Sequence, residues 1–261
     1  MISVQKIIKK INKFGIQKVD CAIVVGSGLM NATVDLKNPI VIPYDKVGMP
    51  KSKVKGHSGQ FIFGEYNGKV VALVSRLHFY ESGDMNKVRM PFNVVAALGC
   101  KQIILLTSSG GVNSTFAVGD IMLIKDHINL SGYSPLVGID PVVFTPMANA
   151  YDKDLIEKIL DIANKNNIDI KQGVHFQFAG PYYETYAEIN AIRMLGADSV
   201  SMSTSYDCII SNYFNMKVCG MAVIVNTFDN QSDMKKLNHE EVLENAEKAC
   251  KKIKVLLSNL I

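Results

Sequence analysis

KQIILLTSSGG, residues 101–111, is an apolar run that breaks into hydroxyls and paired glycines within the length of one strand. It follows a helical pattern that begins at Asn86, carries Pro91 inside it and stops at Gly99. A helix leading into a buried strand with a small polar end is a repeating unit of an α/β protein, and here the unit recurs. A helix expected from about Glu184 through AEINAIRML to Gly196 leads into ADSVSMSTS, a strand that again ends in hydroxyls. KVCGMAVIVNTF, residues 217–228, is one more strand, ending at Asn226, and CAIVVGSGL, residues 21–29, is an apolar strand that runs into a glycine turn. The alternation predicts an α/β layered sandwich whose polar strand ends gather along one edge of the sheet.

The other segments fit around these strands. Residues 3–14 predict a short amphipathic helix closed by Gly15, and QFIFGEY and KVVALVS predict a hairpin joined by Asn67-Gly68, the favoured two-residue turn. In the last helix Asn238 and Glu241 make an N-cap and capping box, and Val242, Ala246, Ala249, Ile253, Leu256 and Leu260 keep the spacing of a face packed on a sheet. No Pro/Gly/Ser-rich linker divides the 261 residues, so residues 1–261 are expected to form a single domain. Much of the net charge of +4 comes from KIIKKINK and KACKKIK, which read as solvated helix faces and not as a nucleic-acid track. Five scattered cysteines without a C-x-x-C pair read as reduced thiols of an intracellular protein. The N-terminus alternates apolar and basic residues, and no apolar stretch approaches the ~18 residues that span a bilayer, so the expectation is a soluble, cytoplasmic protein with no membrane partner.

Chemistry concentrates in SRLHFYES, residues 75–82, which sets Arg76, His78 and Tyr80 at every second position after the apolar VVALV. In extended chain the three share one face, and a guanidinium beside an imidazole and a phenol suits an anion with an organic group next to it. A structural histidine is the bland alternative. GSG, Gly26 to Gly28, offers backbone N–H groups and the Ser27 hydroxyl to a phosphate, or is simply a tight turn. Ser203, in MSTS, residues 202–205, would complete an anion cradle. Glu184, in AGPYYET, only accepts hydrogen bonds when ionised, whereas Asn226 donates and accepts; together they suit the edge of a heterocycle, and separately they fit a helix start and a turn. His57, His78, His127, His175 and His239 show no metal-binding spacing, so no metal is expected. The nucleophile elbow G-x-S-x-G is absent and Ser108 and Ser109 have no local base, which argues against a serine hydrolase.

GSGL (26–29), GHSG (56–59), SRLHFYE (75–81), SSGGVN (108–113), VGDIMLIKDHINLSG (118–132), AGPYYET (179–185), LGADSVSMST (195–204) and NHEEV (238–242) together resemble the trimeric, low-molecular-mass purine nucleoside phosphorylases and their methylthioadenosine phosphorylase relatives. The resemblance implies a nucleoside phosphorylase-like fold, a three-layer α/β/α sandwich with a mixed central sheet, and a pentosyltransferase that uses inorganic phosphate as co-substrate with no cofactor. Phosphate would attack C1′ of a purine nucleoside and release the free base and a pentose 1-phosphate. It implies phosphate binding by Ser27, His57, Arg76, His78, Ser203 and the Ser108 N–H, and a ribose site of Tyr80, Met202 and His239. Tyr183 would pack on the purine, Glu184 would accept from N1–H, and Asn226 would bond at N7 and O6. On this resemblance His78, Asn226, Glu184 and His239 are the catalytic set, and Phe144 closes the ribose pocket of the neighbouring subunit of a homotrimer.

The resemblance also implies base choice: its 6-oxopurine members carry Asn at the position of Asn226 and its methylthioadenosine branch carries Asp, so with Glu184 also in place inosine and guanosine are expected. The chain departs from the family pattern at Thr107, Ser108, Ser205, Val225 and Thr227. The alternatives to a 6-oxopurine enzyme of purine salvage are a methylthioadenosine or broad 6-aminopurine phosphorylase, a nucleosidase using water, and a non-catalytic nucleoside-binding protein. The Arg76, His78 and Ser203 set disfavours the nucleosidase, since hydrolysis needs no phosphate cradle.

Overall fold

The computed structural model describes residues 3–54, 59–228 and 239–261, with His239 described through its backbone alone. In chain order the first elements are α1 (Val4–Asn12), β1 (Cys21–Val25), β2 (Lys37–Pro43), α2 (Tyr44–Val47), β3 (Gln60–Tyr66), β4 (Lys69–Ser75) and α3 (Met85–Ala97). They are followed by β5 (Gln102–Gly111), β6 (Ile121–Asn129), α4 (Lys153–Lys165), β7 (Lys171–Gln177), α5 (Tyr186–Met194), β8 (Ser199–Ser201), α6 (Thr204–Tyr213), β9 (Lys217–Thr227) and α7 (His239–Leu260).

The sheet is mixed. β1 pairs in parallel with β4 and β5, and all five of its residues are buried, which is why CAIVV reads as an unbroken apolar run. β2 and β3 add an antiparallel edge, and β3 turns into β4 through Asn67 and Gly68 at φ 49° and 75°, the left-handed pair that a two-residue hairpin requires. One apolar cluster packs α1, α2, α3 and α6 on one face, and a second packs α4 and α7 on the other, so the α/β/α layering holds. In α7 the expected face is buried through Ala246, Ala249, Ile253 and Leu256, each large aliphatic contributing about 1.5–3 kcal/mol. The cap expected at Asn238 lies outside the described residues.

The sheet also closes on itself, which the strand pattern did not foretell. β5 is long enough to have three neighbours: β9 along one edge, and on the other β1 at Gln102–Leu105 and β8 at Gly110 and Gly111. β9 pairs with β6, β6 with β7, and β7 with β8, which returns to β5. Three consequences follow from this ring. Thr107 and Ser109 on β5 become buried, the polar ends of β5, β8 and β9 converge, and a third apolar cluster forms under α5 from Phe176, Val200, Ile189, Ile192 and Phe228.

Candidate active site

The convergent strand ends enclose a cavity of about 350 Å³, with walls drawn from the β1 turn, the end of β4, β5, the loop before α5, β8 and β9. Ser27, Arg76, His78, Tyr80, Ser108, Tyr183, Glu184, Met202, Ser203 and Asn226, ten of the residues expected in the site, all line it. Phe144 does not; it is 94% exposed on the segment after β6. His57 and the side chain of His239 lie outside the described residues.

The glycine turn is fixed by close approach. A Cβ on Gly26 would meet the Leu106 carbonyl at 2.7 Å, and Gly28, at φ 73°, lies against Ala246 of α7. Packing between β5 and α7 thus presents Ser27 to the cavity, and the Ser108 hydroxyl donates to the Ser27 carbonyl at 2.6 Å.

Arg76 is 1% exposed. Its Nε donates to Asp207 Oδ2 at 2.5 Å and its Nη2 to the Leu106 carbonyl at 3.3 Å. Burial pushes the Asp207 carboxyl up, against the pull of the Arg76 guanidinium. Asp207 sits in the first turn of α6, 131 residues from its partner, and no local spacing reveals it.

The strict alternation expected through SRLHFYES needs correction. β4 stops at Ser75, His78 is extended, and Phe79–Glu81 forms a 3-10 turn, so Tyr80 reaches the cavity by a turn and not by strand geometry. Glu81 causes the turn: its Oε1 accepts from the His78 N–H at 2.6 Å and lies 3.3 Å from His78 Nδ1. Its Oε2 accepts from the Lys53 N–H and the Ser52 hydroxyl at 2.6 and 3.0 Å. Burial alone would raise the Glu81 carboxyl; these bonds outweigh it and hold the group at about 2. The His78 ring stacks on Tyr80 with centroids 4.8 Å apart.

Ser203 is the N-cap of α6, yet its side chain makes no capping bond. Ser203 and the positive end of the helix thus border the cavity together.

The groups expected at the base differ. Glu184 lies just before Thr185, the N-cap of α5, and is 5% exposed. Burial pushes its carboxyl up to about 7, with Glu188 adding to the rise and the Glu184 backbone N–H opposing it. Asn226, near the end of β9, holds its Nδ2 buried without a partner among the described residues. Among the described residues no cluster of three or more His, Cys, Asp or Glu could hold a metal ion, and no helix is long and apolar enough to cross a membrane. All five cysteines are buried and unbridged.

Residues 20–261 match the phosphorylase superfamily. Purine nucleoside phosphorylase 1 of Bacillus subtilis is 40% identical over 232 residues, covering 87% of this chain and 85% of its own. A Schistosoma mansoni purine nucleoside phosphorylase crystallised with adenosine superposes with a TM-score of 0.91 at 31% identity, covering 98% and 95% of the two chains. The enzyme from the same organism crystallised with inosine superposes at 0.89, with 32% identity over 98% and 94%. The chain belongs to the phosphorylase superfamily, on its purine nucleoside phosphorylase side, and is an enzyme of the pentosyltransferase class.

Proposed function

We propose that the protein carries out reversible phosphorolysis of 6-oxopurine nucleosides, inosine and guanosine, in purine salvage, as a single-domain cytoplasmic enzyme. One observation carries this reading: the ion-paired Arg76, with Ser27, His78, Ser108 and Ser203, lines the same cavity as the buried Glu184 carboxyl and the Asn226 Nδ2 that has no partner among the described residues. Arg76, His78, Ser27, Ser203 and the Ser108 N–H hold phosphate, with His57 at the entrance. A phosphate oxygen forms its bond to C1′ as the C1′–N9 bond breaks, and the bonding pair leaves on the purine. Tyr80, Met202 and His239 hold the ribose. Tyr183 packs on the base, Glu184 accepts from N1–H, and Asn226 Nδ2 donates to N7 where negative charge develops. Catalysis is then positioning and electrostatics, with no covalent intermediate.

The relatives solved with adenosine and with inosine make base choice the feature to test. The second reading, a 6-aminopurine or methylthioadenosine phosphorylase, would need a donor at Glu184. The deciding experiment measures base release from inosine, guanosine, adenosine and methylthioadenosine with and without phosphate. Phosphate-dependent release from the first two is expected; release undiminished without phosphate makes the enzyme a hydrolase, and preference for the last two gives the second reading. Exposed Leu130, Val137, Val142 and Phe144 support a homotrimer in which Phe144 reaches the next subunit's ribose site. Light scattering tests the trimer, and Phe144→Ala should raise the nucleoside KM. Five unbridged thiols fit a reducing compartment.

A further inference from the structure

Beside the cavity lies a buried histidine for which the reaction described above has no use. His175, on β7, is fully buried, and both ring nitrogens meet serine hydroxyls of β8: Nδ1 to Ser199 Oγ and Nε2 to Ser201 Oγ, each at 2.8 Å. The parallel register sets His175 directly opposite Ser199. Ser201 Oγ is also 3.4 Å from Thr107 Oγ1 on β5, and Ser201 and Thr107 both line the cavity. Burial, with His127 and Arg76 adding to it, lowers the ring to about 3, so the imidazole is neutral and carries one N–H.

Proton counting assigns that N–H. Among the described residues the fully buried Ser199 hydroxyl meets only the ring. A proton on Nδ1 would make Ser199 the acceptor and strand its own proton in the interior, where an unpaired donor carries its full desolvation cost. With the proton on Nε2, Ser199 donates to Nδ1 and the ring donates to Ser201. Ser201 then accepts from His175 and keeps its own proton to donate; Thr107 Oγ1, 3.4 Å away, has the Ser108 carbonyl at 3.3 Å for its own proton, and an anion in the cavity is a stronger acceptor for that of Ser201 than the Thr107 hydroxyl.

We propose that Ser201 is a further ligand-binding residue, a hydrogen-bond donor to a phosphate oxygen, and that His175 is the positioning residue that fixes it in the donor role. The choice of phosphate follows from its neighbours and rests on the phosphorolysis reading. Thr107 lies between Leu106, whose carbonyl accepts from Arg76, and Ser108, whose hydroxyl bonds Ser27, and Ser203 is two residues beyond Ser201.

Two measurements test this. Nitrogen-15 NMR of the ligand-free protein at neutral pH should show His175 protonated at Nε2 alone; a proton on Nδ1, or a cationic ring, overturns the assignment whatever the turnover. In steady-state kinetics Ser201→Ala should raise the phosphate KM about tenfold and leave the nucleoside KM unchanged, the size expected for one bond to an anion. His175→Phe should do the same, and the double variant should be no worse than either single one, because both remove one interaction. A fall in Tm with an unchanged phosphate KM, or equal rises in both KM values, overturns the proposal. If His175→Phe does not fold, Ser201→Ala and the spectrum of the unaltered protein still decide it. Native turnover that needs no phosphate would instead sink the phosphorolysis reading, a result separable from phosphate-dependent turnover that ignores Ser201→Ala.

Discussion

The two ends of the cavity are built in opposite ways. At the end assigned to phosphate, the protein has already supplied partners: Asp207 and the Leu106 carbonyl hold Arg76, Glu81 holds His78, and the Ser27 carbonyl holds Ser108. At the end assigned to the base, Glu184 is buried with its carboxyl raised to about 7, and Asn226 Nδ2 has no partner among the described residues. Both ends carry a desolvation cost, since burial raises Asp207 as well as Glu184; at the first the Arg76 ion pair already offsets it before any ligand arrives, and at the second a ligand must. The largest effect should come from breaking the first. Asp207→Ala leaves a guanidinium buried and uncompensated, so the ligand-free protein should lose about 3–5 kcal/mol in denaturant unfolding. A loss no larger than that of an exposed substitution would mean Arg76 does not depend on its pair, and the contrast between the ends would vanish.

The second end should respond with the opposite sign. The folded carboxyl of Glu184, at about 7, lies above its ordinary 4.5, so its ionisation destabilises the fold. Below pH 4.5 the group is neutral in both states and nothing is lost; the cost grows from there to pH 7 and is complete above it. The interval from 4.5 to 7 corresponds to about 3 kcal/mol. Glu184→Gln should therefore stabilise the empty protein by up to about 3 kcal/mol at pH 8 and by nothing below pH 4.5, while inosine turnover falls about 10²-fold. Urea titrations at the two pH values check this, and a variant less stable than the native protein at pH 8 would contradict it.

The same contrast explains what the sequence disclosed. The ligand-facing groups sit at strand ends and short motifs, where Arg76, His78, Ser203, Glu184 and Asn226 announce themselves by residue type and position. Their supports are remote or depend on topology. Asp207 is separated from Arg76 by 131 residues, and His175 meets Ser201 only because β7 and β8 belong to the closed ring. The alternation in SRLHFYES correctly grouped three side chains but for the wrong backbone reason, since Glu81 folds the chain back into a turn. A period of two describes a strand; it carries no sign of the carboxylate that ends one. Layering was legible because each helix and strand declares its apolar face locally, whereas ring closure depends on β5 having neighbours at both ends of one edge.

Base choice sharpens the contrast at smaller scale. Asn226→Asp replaces a donor with an acceptor, so the inosine-to-adenosine ratio of kcat/KM should shift about tenfold or more toward adenosine. Acidification should push the native enzyme the same way: below about 7 Glu184 becomes a donor, which suits the unprotonated N1 of a 6-aminopurine. Competition assays at pH 6 and pH 8 read both effects. A ratio that ignores pH and Asn226→Asp alike would remove these two residues from base recognition.

Glu81 gives the smallest effect and the cleanest opposition. Its carboxyl is held at about 2, below the ordinary 4.5, so it stabilises the fold above pH 4.5 and loses that contribution as pH falls through 2. Glu81→Gln keeps the shape but weakens the bonds to His78 and to the Ser52–Lys53 segment; about 1 kcal/mol of stability at neutral pH is expected to go, with the phosphate KM rising a few-fold. Acid titration of the two variants should then give opposite slopes: Glu184→Gln removes a pH dependence between 4.5 and 7, and Glu81→Gln removes one between 2 and 4.5. If both variants flatten the same interval, the two carboxylates share one electrostatic environment, and the cavity does not have two ends.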